Sequence, residues 1–130
     1  TADGRHLPLR AGCADIVVVD APCSGLGSLR RRADARWRIT ESDVGRLAAL
    51  QSELLEAAAD LVIPGGRLIY SVCTLTDAET SGVVTSFVSA RRDFRADPPG
   101  PPWRPAGLGA RLLPTAEGRD GMSCFRLRRV

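Results

Sequence analysis

The chain has no lysine and no asparagine, a single histidine, His6, and few aromatics, 5% of its 130 residues. All 18 of its basic residues are therefore arginine, against 15 Asp and Glu, for a formal charge of +3. Without lysine, Schiff-base chemistry and the lysine of a phosphate-binding P-loop are excluded. One histidine and four dispersed cysteines, Cys13, Cys23, Cys73 and Cys124, with no Cys-x-x-Cys spacing, do not make a zinc site, and no metal is expected. No apolar run approaches the roughly 20 residues of a membrane span, and the first residues do not form a signal peptide. Free thiols fit a reducing cytoplasm better than a disulfide framework does. The missing Lys and Asn fit the coding bias of a GC-rich genome. The start at Thr1 rather than Met carries the expectation of a piece of something longer.

What is present reads as one α/β unit. Asp15-Ile-Val-Val-Val-Asp20 is a β-branched run ending in a carboxylate, expected to be a strand buried on both faces. Ala21-Pro22-Cys23-Ser24-Gly25 must then turn. Thr40 and Asp43 form a variant capping box for a helix in which Leu47, Leu50, Leu54, Leu55, Ala58, Leu61 and Val62 recur at three- and four-residue spacing. That helix is expected to run to about Ile63 and to end at Pro64-Gly65-Gly66. Arg67 to Cys73 reads as a second strand, and Thr76-Asp77-Ala78-Glu79 as a capping box for a second helix that places Val83, Val84, Phe87 and Val88 on one face. Pro98 to Pro105 cannot be regular structure. Short strands near Arg111–Leu113 and Met122–Leu127, around a turn at Asp120-Gly121, close the chain.

In open sheets of this kind ligands bind outside the carboxyl ends of the strands. Asp20 and Cys73 stand at two such ends, and Cys23 lies three residues beyond the first. Neighbouring strands are about 4.8 Å apart, so one carboxylate and two thiols can share one cleft. A cysteine placed there can act as a nucleophile, whereas an isolated one, such as Cys13 or Cys124, reads as a small buried hydrophobe. A cysteine hydrolase would need His6 as its base, and His6 has no partner in view.

Asp20-Ala21-Pro22-Cys23-Ser24-Gly25, followed fifty positions later by Tyr70-Ser71-Val72-Cys73-Thr74-Leu75, resembles the two signature motifs of the Sun/Fmu-type (Nol/Nop/Sun) RNA cytosine-5 methyltransferases. Ala2-Asp3-Gly4-Arg5, Arg36-Trp37-Arg38 and Asp120-Gly121-Met122 extend the likeness over almost the whole chain, and the bacterial 16S ribosomal RNA branch fits best. The resemblance implies transfer of a methyl group from S-adenosylmethionine to carbon 5 of cytosine. It makes Cys73 the nucleophile that adds to carbon 6, Cys23 the helper in product release, and Asp20 the group that binds the cytosine ring. Asp3 would contact the cofactor's adenine, with Asp20, Ala21 and Pro22 beside its methionine end. Amino-group methyltransferases carry an aromatic residue where Cys23 stands, which argues against them.

The resemblance also implies a fold: the C-terminal half of a Rossmann-like class I methyltransferase sheet, the equivalents of strands four to seven, with the last hairpin antiparallel. Residues 1–130 are then a partial S-adenosylmethionine-dependent methyltransferase domain without its N-terminal half, where the glycine-rich cofactor loop belongs, and such a piece is expected to be inactive alone. Strand 15–20 would have an unpaired edge, through which a fragment could self-associate. Between Arg30 and Arg38 lie five Arg and one Asp, more than the whole net charge. Arg30, Arg31, Arg32, Arg36, Trp37 and Arg38 are therefore expected to contact RNA phosphates and bases. The competing reading is a catalytically silent fragment that binds RNA through this loop.

Overall fold

β1 (Ala14–Asp20) and β2 (Val62–Val72) pair in parallel, with Asp20 opposite Ser71, in a computed structural model that describes residues 3–130. Ala2 of the Ala2-Asp3-Gly4-Arg5 stretch lies outside the described residues. Between the two strands run α1 (Ala35–Arg38) and α2 (Glu41–Ala59), and after β2 comes α3 (Ser81–Ala90). Four further strands follow: β3 (Phe94–Ala96), β4 (Arg104–Ala106), β5 (Gly109–Leu112) and β6 (Met122–Arg129). They form a single six-stranded sheet in the order β1-β2-β6-β5-β4, with β3 also on β6 and every pairing except β1–β2 antiparallel.

One face of this sheet carries the core. Leu68, Tyr70 and Val72 of β2 sit opposite Leu127, Phe125 and Ser123 of β6, and all six are buried. Leu55, Ala58 and Ala59 of α2 and Val83, Val84 and Phe87 of α3 complete the same cluster. The expectation that residues 15–20 are buried on both faces is corrected. Val17 and Val19 pack on the core, but Ile16 and Val18 are 54% and 61% exposed. In a strand alternate side chains point to opposite faces, and both long helices belong to the other face. Among the described residues β1 is hydrogen-bonded to β2 alone, so its outer edge is open.

Two helix boundaries differ from the sequence reading. α2 has the expected capping box at Thr40 and Asp43, but ends at Ala59, because Val62 is already paired with Ala14 in β2. Leu61 and Val62 keep the helical spacing of apolar residues while filling the core from the strand side. Pro64-Gly65-Gly66 is a bulge inside β2, where Gly65 takes a φ of +83° that favours glycine. The second correction concerns Thr76-Asp77-Ala78-Glu79, which is a turn and caps nothing: α3 begins at Ser81, behind Thr80, with no side-chain cap. The proline-rich stretch is a loop up to Trp103, after which Arg104 and Pro105 enter edge strand β4. Cys13 is exposed rather than buried.

Candidate active site

The end of β1 continues its pairing for one residue, Ala21 N–H donating to the Ser71 carbonyl at 3.1 Å, before the chain turns through Pro22 and Cys23. Gly27 then fixes the loop. Its N–H donates to the Cys73 carbonyl at 3.0 Å, and its own carbonyl accepts from the Gly121 N–H at 2.7 Å. A Cβ at position 27 would lie 2.4 Å from the Gly121 oxygen, so no larger residue fits. Ser123 Oγ donates to the Thr74 carbonyl at 2.9 Å, holding the turn after β2 from the other side. The two cysteine loops and the start of β6 are thereby one packed unit.

The result is that Cys23 Sγ and Cys73 Sγ lie 3.2 Å apart, within sulfur hydrogen-bond distance. Burial pushes the Cys23 thiol up to about 12, and its bond with Cys73 adds to the effect. Cys23 thus keeps its proton at neutral pH, and its S–H can donate to Cys73 Sγ. Both sulfurs open onto a cavity of ≈ 500 Å³ lined by Asp20, Ala21, Pro22, Cys23, Arg32 and Cys73. A second cavity of ≈ 300 Å³, lined by Leu7, Val17, Val19 and Leu54 among others, shares Asp20 and Pro22 with the first. Asp20, at the end of β1, therefore lines both a polar, thiol-bearing space and a largely apolar one.

Of the residues singled out in the sequence, Asp20, Ala21, Pro22, Cys23 and Cys73 are brought together, and Arg32 joins them. Asp3 lines neither cavity. It is exposed and paired with Arg5 at 2.7 Å, and that hydrogen-bonded guanidinium holds its carboxyl far below the usual range. Arg30 donates to the Gly118 carbonyl, Arg31 pairs with Asp120 at 3.1 Å, and Arg38 with Asp34 at 3.4 Å. Much of the arginine run is thus tied to neighbouring chain. Arg36 and Trp37 stand out to solvent on α1, Trp37 at 83% exposure. His6 lies on another cavity, beside Arg5 and Asp60.

The sequence reading missed Glu79. Its carboxylate is fully buried and, among the described residues, paired with no cation. It accepts from the Ser24 N–H at 2.8 Å and Gln51 Nε2 at 3.1 Å on one oxygen. The other oxygen takes Ser24 Oγ at 2.6 Å, Thr76 Oγ1 at 2.8 Å and Thr74 Oγ1 at 3.2 Å. Burial alone would raise its pKa, but the bonds from Ser24, Thr76 and Gln51 outweigh that and leave the carboxyl below its usual value. Gln51 also donates to the Pro22 carbonyl at 2.9 Å, and its own carbonyl oxygen is buried without a partner. Leaving such a group unpaired costs about 1–3 kcal/mol, so the amide is oriented by the acceptors it serves. A glutamine in the buried stripe of α2 was the sequence signal for this network, since a polar side chain in a core stripe demands a partner.

The same arrangement of sheet and helices is found in solved structures. NSun6 from Pyrococcus horikoshii, determined with SFG, superposes with a TM-score of 0.83 at 28% identity, covering 99% of this chain and 33% of that one. The structure of PH0851 gives a TM-score of 0.87 at 33% identity, over 92% of this chain and 27% of that one. The fold is that of the Rossmann-like methyltransferases. Within that class the model for the 16S rRNA methyltransferase RsmB/F family matches residues 1–128, and the chain belongs to this family. Ribosomal RNA small subunit methyltransferase B of Thermus thermophilus is 45% identical over 128 residues, which are 97% of this chain and 31% of that protein. The enzyme of the same name from an Enterobacter species is 37% identical over 113 residues, 87% of this chain and 26% of its own. The chain thus spans about a third or less of the length of these curated relatives.

Proposed function

We propose that this chain is the catalytic part of an S-adenosylmethionine-dependent methyltransferase that methylates carbon 5 of cytosine in ribosomal RNA. The contact between Cys23 and Cys73, in a cavity shared with Asp20 and Arg32, carries the proposal. Carbon 5 of cytosine is a poor nucleophile. Addition of the Cys73 thiolate to carbon 6 pushes the ring's double-bond electrons toward nitrogen 3, and Asp20, which lines the same cleft, would hydrogen-bond that edge of the ring. The resulting enamine carries nucleophilic density at carbon 5, which takes the methyl group. Loss of the carbon 5 proton then expels the Cys73 thiolate and restores the aromatic ring.

Cys23 fits the release step. Once Cys73 is bonded to carbon 6 it can no longer raise the Cys23 pKa, and only burial still does so. The second thiol then loses one of the causes that hold its proton while the larger one, burial, remains, and its place beside Cys73 is what fits it to assist release.

S-adenosylmethionine supplies the methyl group. The apolar walls of Val17, Val19 and Leu54, meeting the Asp20 carboxylate and the Pro22 backbone, suit the edge of such a cofactor and would form one side of its pocket. The chain spans about a third or less of its curated relatives, and the rest of the cofactor pocket would belong to the remainder of such a full-length protein. The exposed Arg36 and Trp37, with Arg32 at the cleft, would meet the RNA; Asp3 would have to exchange its Arg5 partner to reach the cofactor. A catalytically silent RNA-binding piece gives no role to the thiol pair.

The test uses the full-length protein and ribosomal RNA containing 5-fluorocytidine, whose fluorine blocks the proton-loss step. A covalent complex is expected with wild type and none with Cys73→Ala. On ordinary RNA, Cys23→Ala should accumulate the adduct. A complex that persists in Cys73→Ala and vanishes in Cys23→Ala reverses the two roles.

A further inference from the structure

We infer that Glu79 is the positioning residue that keeps the two cysteines in register, through the residue that follows each of them. Ser24 comes directly after Cys23 and gives Glu79 both its N–H and its hydroxyl. Thr74 comes directly after Cys73 and gives its hydroxyl, and the Ser24 and Thr74 hydroxyls are themselves 3.0 Å apart. Gln51 carries the same link to Pro22, on the near side of Cys23. From below, Tyr70 OH donates to the Glu79 carbonyl at 2.7 Å, fixing the backbone on which the carboxylate stands. One buried anion thus gathers five donors from the Cys23 loop, the Cys73 loop and α2, and touches neither sulfur.

The chemistry of the group explains why it is an acid. All five partners donate to the carboxylate, and two of them, the Ser24 N–H and the Gln51 amide, can do nothing else, so a side chain with acceptors alone satisfies the set without rearrangement. A glutamine of the same shape would either bring its N–H2 group against the two N–H donors or turn it to the three hydroxyls, which would then have to reverse their bonds. The bonds also run to both loops at once, so the carboxylate sets one loop relative to the other. A thiol pair in which one member forms the adduct and the other assists its release needs that relative placement to a fraction of an ångström.

The inference extends the proposed reaction, but its primary test does not depend on it. In the full-length protein, diamide takes two electrons and two protons from a close thiol pair and leaves a disulfide, and the rate of Cys23–Cys73 bond formation, followed by peptide mass mapping, measures their placement. Glu79→Gln is expected to slow that step by roughly 10–100-fold, the cost of misplacing a reacting group by up to about 1 Å. The same variant should lower kcat for RNA methylation by a similar factor while KM for RNA stays within about twofold. A folded Glu79→Gln protein that forms the disulfide at the wild-type rate overturns the inference. If that variant does not fold, Thr76→Val, which removes one donor from a partly exposed position, replaces it: a slower disulfide supports the inference and an unchanged rate overturns it. Should wild type prove unable to methylate cytosine while Glu79→Gln still loses the disulfide, the reaction is wrong and the positioning role stands.

Discussion

Cys23 and Cys73 illustrate how little a thiol's own chemistry decides its role. Both are half-buried at the ends of adjacent strands, yet Cys23 is held as a thiol by burial and by its neighbour. Alkylation of Cys23 by iodoacetamide should therefore stay slow through neutral pH and accelerate only toward its pKa of about 12. In Cys73→Ala the pH at which it accelerates should fall, since one of the two causes has gone; an unchanged profile would assign the whole shift to burial. Glu79 makes a second prediction at this scale. Its folded pKa lies below the unfolded value, so its contribution to stability is fully present above the ordinary glutamate range and is lost as acid takes the pH down through the folded pKa. Urea midpoints measured on acidification should fall in wild type, and that part of the fall should be missing in Glu79→Gln.

At the scale of elements, local signals succeeded where the partners are local. The Thr40–Asp43 capping box lies within four residues and the structure contains it, Asp43 N–H donating to Thr40 Oγ1 at 3.3 Å. Thr40→Ala should lower stability by about 1 kcal/mol, read from the denaturant midpoint. Thr76 and Glu79 show the same pattern of residue types and do bond one another, but the bond serves partners more than twenty residues away and no helix begins there. Strands β3 and β4 were not legible because three residues carry no periodicity, and β3 exists only by virtue of its pairing with distant β6. The placement of Asp20, Cys23 and Cys73 was legible, since strand ends in a parallel pair converge whatever the packing details. On α1, Trp37 offers an exposed face suited to stacking on a base. Trp37→Ala should weaken RNA binding by about 1–3 kcal/mol, and unchanged affinity would remove α1 from the RNA surface.

For the whole molecule the open edge of β1 matters most. Ile16 and Val18 present an apolar face beside unpaired backbone, and a sheet left in this state recruits another strand. We expect the 130 residues, prepared alone, to self-associate through this edge. Light scattering after size-exclusion chromatography separates the outcomes: a 13.9 kDa monomer at high concentration would show that the edge is protected in some other way. The +3 charge says little at this scale, because Arg30, Arg31 and Arg38 are tied to the Gly118 backbone, Asp120 and Asp34, leaving Arg32 and Arg36 as the arginines of the run whose side chains have no such tie among the described residues.

The bonds from Gly121 to Gly27 and from Ser123 to Thr74 also set an order of events during synthesis. Both cysteines leave the ribosome before β6 does, and Glu79 and Gln51 can already join their loops, but the second clamp, from Gly121 and Ser123, arrives only with the start of that strand. An interrupted product that stops short of Gly121 would hold its two cysteine loops through Glu79, Gln51 and Gly27 alone, without the clamp that closes them from the other side.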